Sequence, residues 1–392
     1  AFFGSGTTYL RYGAEMIVSG SVSSNAQFKI GMGTLTLTNG ADFRVYQEMQ
    51  VADKIKGDLF YSAEPTNVTV IINVSDGCAL TAQAITFGNG LMGAATGILN
   101  QAGGVVRTTG MTAEGNGIRL GHYPAAYSVY NMMGGTLVVE KDYDLCCATD
   151  GTGWFKMTGG QVFTTRVMLN ERDSTGGSGR LTLSGGVLNV GSLNPGVGDI
   201  TNAITADMYA PYLVEYGGAG GIVRAVTNLY LPLNATLYGT GTNAITFDAS
   251  SFTIFQSGNL SGSGGLTKAG SGTLVLSGTN TYAGGTRILE GAVQLAAGCV
   301  GPTGTVAFAV STNGTSGLLT APGNLSLANM TVAVVNPELL DTSRSYTVAS
   351  WSGTLTGAFG ASALPKPWYI YYDWAGKTAK LCSAIGTVIR IQ

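Results

Sequence analysis

Short runs of alternating apolar and polar residues, separated by glycine and asparagine, recur along most of the chain. The clearest run covers residues 273–277, and a second at 286–289 follows Asn280, Gly284 and Gly285. Alternation with a period of two predicts half-buried strands, and the glycines and asparagines predict tight turns between them. Repeated Leu-x-Leu pairs give the candidate inner face of these strands, which comprises Leu35, Leu37, Leu181, Leu183, Leu274 and Leu276.

The spacing of the turn glycines indicates how the strands are organised. A turn glycine leads into a new strand at Gly77, Gly104, Gly135, Gly160 and Gly186. This regular spacing predicts an all-β parallel β-helix, because propeller blades need about 40–50 residues and no helical repeat pattern is present. Each coil would bury its inner face by stacking on its neighbours. The last four glycines belong to Gly-Gly doublets. We expect the first glycine of each doublet to be left-handed and the second to allow close backbone approach.

Two regions interrupt the strand-and-turn repeat, and a C-terminal region of different character follows it. We predict a parallel β-helix over residues 1–300, with irregular insertions near 44–62 and 191–216. The first insertion is charged, which favours a loop or a short helical excursion. Longer strands and three of the four tryptophans follow residue 301. Solenoids need atypical end units to shield an unpaired edge, so we predict a C-terminal β-strand cap or assembly region over 301–392.

The composition narrows the class of protein. Charged residues make up 11% of the 392 residues and the net charge is -2. This charge argues against a nucleic-acid partner, because it provides no basic field. No apolar run is long enough for a membrane-spanning helix. The start at Ala1, without methionine, resembles an N-terminus left by a cleaved signal peptide, which predicts an exported protein.

Candidate chemistry is sparse. The five cysteines form no CxxC pair and His122 is the only histidine, so we predict no zinc site and no cofactor. Carboxylates cluster at Glu140, Asp142, Asp144 and Asp150, and at Glu171 and Asp173 in the next coil. Stacked carboxylates such as Asp150 and Asp173 could bind calcium or cleave a glycosidic bond. We favour their interpretation as turn residues, with His122 in a surface loop, and predict no enzyme.

Residues 265–286 resemble the autotransporter-associated β-strand repeat, also called the passenger-associated transport repeat. The matching positions are Gly265, Leu266, Lys268, Gly270, Gly272, Thr273, Leu274, Leu276, Gly278, Asn280, Thr281, Tyr282, Gly284, Gly285 and Thr286. The resemblance implies a right-handed β-helix that is exported to the surface of a bacterium or beyond. It implies a structural motif and carries no catalytic residues.

Three functions remain open, in order of preference. The first is an extracellular structural protein that self-assembles head to tail into a fibre or surface layer, because the ends of a solenoid expose strand edges. The second is an adhesin-like passenger domain that binds surface carbohydrate, and the third is a polysaccharide lyase or hydrolase. C-terminal aromatic residues could form a sugar platform, although we favour packing in the cap or against another subunit. The candidate assembly residues are Phe2, Phe3, Trp351, Trp368, Trp374, Ile389 and Ile391.

Overall fold

The structure of the chain is a computed structural model, and the regular secondary structure of its described residues is almost entirely β-strand. It describes residues 2–3, 7–10, 13–52, 67–88, 94–110, 116–140, 144–170, 177–191, 204–205, 212–218, 220–241, 244–360 and 363–384. The chain divides into two compact units, unit 1 at residues 1–229 and unit 2 at residues 230–392. Each unit is described below by itself.

The strands are short and follow one another closely along the chain. The first 21 are β1 (Phe2–Phe3), β2 (Thr8–Leu10), β3 (Ala14–Val18), β4 (Ser21–Ser24), β5 (Phe28–Ile30), β6 (Gly33–Leu37), β7 (Asp42–Val51), β8 (Val68–Val74), β9 (Ala79–Phe87), β10 (Ala95–Gln101), β11 (Val105–Thr108), β12 (Asn116–Arg119), β13 (Ala126–Met132), β14 (Thr136–Val139), β15 (Asp144–Cys146), β16 (Thr152–Thr164), β17 (Arg166–Met168), β18 (Ser178–Val190), β19 (Ile204–Thr205), β20 (Tyr212–Tyr216) and β21 (Gly221–Ala225). The remaining strands are β22 (Leu229–Leu231), β23 (Ala235–Leu237), β24 (Ile245–Asp248), β25 (Thr253–Gln256), β26 (Leu260–Gly262), β27 (Leu266–Ala269), β28 (Thr273–Leu276), β29 (Thr286–Ile288), β30 (Ala292–Leu295), β31 (Gly304–Phe308), β32 (Leu318–Ala321), β33 (Leu325–Ser326), β34 (Met330–Val334), β35 (Tyr346–Trp351), β36 (Leu355–Thr356), β37 (Trp368–Asp373) and β38 (Thr378–Ser383). One 3₁₀ turn, Pro337–Leu339, interrupts the second series.

Successive coils of unit 1 pair in parallel, and their register reproduces the glycine spacing. Strands β8, β10, β13, β16 and β18 each pair with the next strand of this series. The paired residues are Val68 with Ala95, Ala95 with Ala126, Tyr127 with Thr152, and Thr152 with Ser178. These steps equal, in the same order, the intervals between the five turn glycines. Parallel pairing at one coil per step confirms the predicted parallel β-helix.

The core of unit 1 is a column of inward side chains, one from each coil. It passes through Leu35, Ile72, Leu99, Tyr130, Phe155, Leu181 and Val214, which are paired in register. All seven are buried, as are the six leucines predicted for the inner face. The rings of Tyr130 and Phe155 meet edge to face with centroids 5.2 Å apart. Alternation along each strand therefore gives a continuous apolar column.

The left-handed conformation predicted for the first glycine of each Gly-Gly doublet is wrong, whereas the close backbone approach predicted for the second is confirmed, since a Cβ on Gly135 would stand 2.3 Å from the carbonyl oxygen of Gly104. The second glycine takes the left-handed conformation, with φ of 73° at Gly135 and 78° at Gly160. The first lies against the preceding coil, because a Cβ on Gly134 would stand 2.3 Å from the carbonyl oxygen of Ala102. A Cβ on Gly159 would stand equally close, at 2.3 Å, to the carbonyl oxygen of Met133. Corner turning and close stacking thus require adjacent glycines.

The irregular segments differ in part from the sequence prediction. Residues 42–51, which overlap the insertion predicted near 44–62, form the long strand β7, paired in parallel with β9. The loop or helical excursion predicted there is therefore wrong for residues 44–51, which form a strand with Val45 and residues 49–51 buried and a register shift between Val45 and Glu48. Residues 53–66 lie outside the described residues. Within the second predicted insertion, 191–216, residues 212–216 form β20, which pairs in parallel with β18.

Unit 2 contains the coils of the repeat motif and ends in antiparallel strands. Leu266 pairs with Thr286 and Thr273 pairs with Ala292, so these two coils use fewer residues than the coils of unit 1 between β8 and β18. Parallel pairing continues past residue 301, through β31 with β34 and β32 with β35. Antiparallel strands then end the sheet in the order β35, β38, β37. The antiparallel hairpin provides a β-rich ending, and the domain boundary at residue 301 stays a prediction.

We predict that Gly159→Ala destabilises unit 1, because its new methyl group would collide with the Met133 carbonyl of the preceding coil. The expected loss is about 2 kcal/mol of unfolding free energy, the range for overpacking at a rigid contact. Chemical denaturation followed by circular dichroism measures it. Gly20→Ala is the matched control, since a Cβ at Gly20 meets nothing within 4 Å. Equal stability of the two variants would contradict the assigned role of the doublet.

Candidate functional site

The glycines at the two ends of the repeat motif face each other across adjacent coils. A Cβ on Gly265 would stand 2.3 Å from the carbonyl oxygen of Gly285, and one on Gly284 would stand 2.3 Å from the amide nitrogen of Gly265. Gly285 is also left-handed, with φ of 83°. The motif therefore spans one coil and returns to its own start, so that its ends stack backbone on backbone.

Lys268 is an inward-pointing lysine that closes the turn after its strand. Its side chain is fully buried. The ammonium Nζ donates to the carbonyl oxygens of Ala269 at 2.7 Å, Gly270 at 2.7 Å and Glu290 at 3.2 Å. Burial lowers the pKa of Lys268 to about 8, while the charges of Asp248 and Glu290 oppose this shift. The amine therefore carries its proton at pH 7 and can satisfy all three acceptors.

Asn280 and Tyr282 each make buried hydrogen bonds inside the repeat. Both side chains are fully buried. The Asn280 amide Nδ2 donates to the carbonyl oxygen of Gly278 at 2.9 Å and to that of Val300, in the next coil, at 3.2 Å. The Tyr282 hydroxyl shares a 2.6 Å hydrogen bond with the Thr286 hydroxyl, and burial raises the pKa of Tyr282. These motif positions hold the turn to its neighbours.

Lys268 and its partners in the repeat act on the backbone, and sequence reasoning overlooked this role. The signal was present, because Lys268 is two residues after the inward Leu266 and alternation places both on one face. A lysine on an inner face must find acceptors, and the carbonyl groups of a coil corner can provide them.

Two of the three described carboxylates that were considered for catalysis, Glu140 and Asp144, are paired with arginines. Glu140 accepts a hydrogen bond from Arg107. Asp144 is buried and pairs with Arg166, with Nη2 2.6 Å from Oδ2. The pairing with Asp144 raises the pKa of Arg166. Asp150 is half-buried. Asp142, Glu171 and Asp173 lie outside the described residues, so the stacking of Asp150 on Asp173 stays a prediction.

His122 packs against a neighbouring ring, and three of the five cysteines are buried. The rings of His122 and Tyr123 meet at a centroid distance of 4.5 Å. Cys78, Cys146 and Cys147 are buried, and none of the five cysteines forms a disulfide. Burial raises the pKa of the Cys147 thiol well above its ordinary value. Within the described ranges, no three His, Cys, Asp or Glu side chains come together in a way that could hold a metal ion.

The candidate assembly residues are separated by the fold. Trp351 is buried and meets Trp374 edge to face at 6.4 Å, whereas Trp374 is 66% exposed. Trp368 is half-buried beside Tyr346, with centroids 5.8 Å apart. Phe2 and Phe3 form β1, which pairs in parallel with Ser23 and Ser24. Ile389 and Ile391 lie outside the described residues. Burial therefore removes Trp351 from any exposed contact surface.

A polar face of unit 1 was not predicted from the sequence. Asn131 donates to Asn100 at 2.9 Å, and Asn100 donates to Asn73 at 3.0 Å, which forms an amide ladder across three coils. In the next coil, Lys156 lies in register with Asn131 and its ammonium is 4.2 Å from the Trp154 ring. In the coil after that, Arg180 lies in register with Trp154. The spacing of the turn glycines, applied to these residues, could have predicted this cluster.

Comparisons with known proteins match the repeat described above. The family described as "Passenger-associated-transport-repeat" matches residues 266–295. The chain carries an autotransporter-associated repeat. A stretch of 110 residues, 28% of this repeat protein, is 39% identical to "Adhesin BmaC autotransporter" of Brucella suis biovar 1 (strain 1330). The match spans 3% of the length of that adhesin. No solved structure matches the repeat protein.

The family match extends the motif beyond one coil. It covers β27 to β30, which belong to two successive coils stacked in parallel. The repeat protein thus contains the family pattern in two short coils of unit 2. In the part of the chain that the structure describes, no helix has the length and apolar character of a membrane span.

We predict that Lys268→Met destabilises unit 2, because three buried carbonyl groups lose their donor. The expected loss is about 2 kcal/mol, the usual cost of leaving buried polar groups without partners. Urea denaturation measures the change, and Lys366→Met, at an exposed lysine, is the control. Wild-type stability of Lys268→Met would mean that the three hydrogen bonds contribute nothing net.

Proposed function

We propose that the repeat protein is a segment of an adhesin-like extracellular passenger, exposed at the cell surface, which binds through its flank without catalysing a reaction. The observation that carries this proposal is the 39% identity over 110 residues to a protein named as an autotransporter adhesin. The repeat at residues 266–295 supports it, since that family is named for passenger-associated transport.

The architecture supports binding by the flank. Stacked coils present their outward side chains in rows about 4.8 Å apart, which gives a long surface at little cost in chain length. Within unit 1 such rows are populated by amides, hydroxyls and an indole. A lyase or hydrolase has less support, because Glu140 and Asp144 are engaged by Arg107 and Arg166.

Adhesion is tested with beads that display the folded chain. We expect these beads to attach to cultured epithelial cells several times more than beads carrying the heat-unfolded chain or albumin. Attachment should persist in the presence of chelator, because the proposal involves no metal. Attachment no greater than that of the albumin beads would refute the adhesin function.

A second candidate, self-association with another copy of the chain, is favoured by the edge strand β37. Among the described strands, β37 pairs only with β38, which leaves one edge of its backbone open. Its outward residues Tyr369 and Tyr371 are 41% and 51% exposed, and Trp374 follows them. Open, aromatic edges favour pairing with a second strand. Pairing of this edge with an unlike strand edge of the next copy would be head to tail and would build a fibre or layer, whereas pairing of two β37 edges would close a dimer.

Sedimentation velocity over a range of concentrations tests this candidate, with electron microscopy of the largest species. We expect concentration-dependent oligomers for the wild type and monomers for the double variant Tyr369→Lys and Tyr371→Lys. Tyr238→Lys is the matched control, because Tyr238 is 47% exposed in a different part of unit 2. A wild-type chain that stays monomeric at high concentration would exclude self-assembly.

A further inference from the structure

The outer face of β10, β13, β16 and β18 combines three kinds of binding group. The amide ladder of Asn100 and Asn131 leads into Lys156 of the following coil. Together with Met132, Met133 and Thr158, these residues line a shallow cavity of about 250 Å³. Met133 is 51% exposed, so the cavity has one apolar wall beside its polar groups. Concave sites with a few convergent polar groups are typical of ligand binding.

Trp154 fixes two cations at the end of this ladder. The Lys156 ammonium lies 4.2 Å and the Arg180 guanidinium 5.5 Å from the indole centroid, both within cation–π range. The indole nitrogen donates to the Thr182 hydroxyl at 2.9 Å, which fixes the plane of the ring. Thr182 in turn donates to Glu215 at 3.1 Å, so the one acid in this network is bound to a hydroxyl.

The two cations lack carboxylate partners in the described part of unit 1. None of the ion pairs there involves Lys156 or Arg180. The Nε of Arg180 is buried and has no acceptor among the described residues. Cations without carboxylate partners favour an anionic ligand, because hydrogen bonds between charged groups are stronger than neutral ones. The face is therefore arranged for a ligand that supplies negative charge.

We propose that this face binds an acidic glycan chain that runs along the coils. Sugar carboxylates or sulfates would pair with Lys156 and Arg180, and sugar hydroxyls would bond to the amides of Asn100 and Asn131. The cations lie on successive coils, about 4.8 Å apart in the stacking direction. A polymer with repeated charges can therefore engage both. This inference rests on the proposed adhesin function and names its ligand class.

Isothermal titration calorimetry of the full chain tests the site. The probes are an oligogalacturonate, a heparin oligosaccharide and a neutral malto-oligosaccharide. We expect one or both acidic probes to bind and the neutral probe not to bind, with affinity falling as salt is raised. Lys156→Gln and Arg180→Gln should each weaken binding about tenfold, equivalent to about 1.4 kcal/mol. Arg287→Gln, a half-buried cation of unit 2, is the matched control and should bind normally.

The possible outcomes distinguish failure of the glycan site from failure of the proposed adhesin function. Binding of neither acidic probe, equal binding of the neutral probe, or wild-type affinity in both variants would overturn the glycan site. Circular dichroism and thermal melting of the variants verify that they remain folded. Beads that attach to cells without competition by the acidic probes would leave adhesion standing and refute this site. Probe binding by a chain whose beads do not attach would refute adhesion and uphold the site.

Discussion

The constraint on which the structure depends is the parallel pairing of each coil with the next. A coil has no partner for its strand backbone except its neighbours, so every N–H and C=O along a strand must meet the coil above or below. This requirement explains the glycines at the corners. At Gly134 and Gly159, a single Cβ would collide with the carbonyl of the preceding coil. The chain uses glycine where backbones touch and alternating residues where a strand has an inside and an outside.

The same constraint creates polar groups inside the solenoid. At several turns, backbone carbonyl groups accept hydrogen bonds from buried side chains. Lys268 serves three of them in unit 2, and Asn280 serves two. In unit 1, the buried Gln101 donates to the carbonyls of Gly104 and Thr136 and accepts from the Tyr130 hydroxyl at 2.6 Å. Buried polar side chains in this fold thus complete the backbone hydrogen bonding of the corners.

Function is left to the outward side chains and to the open edges. Inward positions are committed to the core, and the glycines are committed to stacking. On the outer face of unit 1, Lys156 and Arg180 lie over the ring of Trp154, and this cluster contributes little to the core. In unit 2, the aromatic strand β37 ends its sheet with one open edge. The first surface suits a ligand that lies across coils, and the second suits another copy of the chain.

The sequence by itself determined the coil. The steps between Gly77, Gly104, Gly135, Gly160 and Gly186 are the steps between paired strands, and the six leucines of the Leu-x-Leu pairs are buried. Both are local consequences of backbone geometry, since a turn needs its glycine and a strand alternates. Only the tertiary structure decided which glycine of a doublet turns, that residues 44–51 extend a strand, and that Lys156 meets Arg180 on Trp154. Those outcomes depend on what the neighbouring coil places within reach, because contacts between coils join residues about one full period apart in the chain.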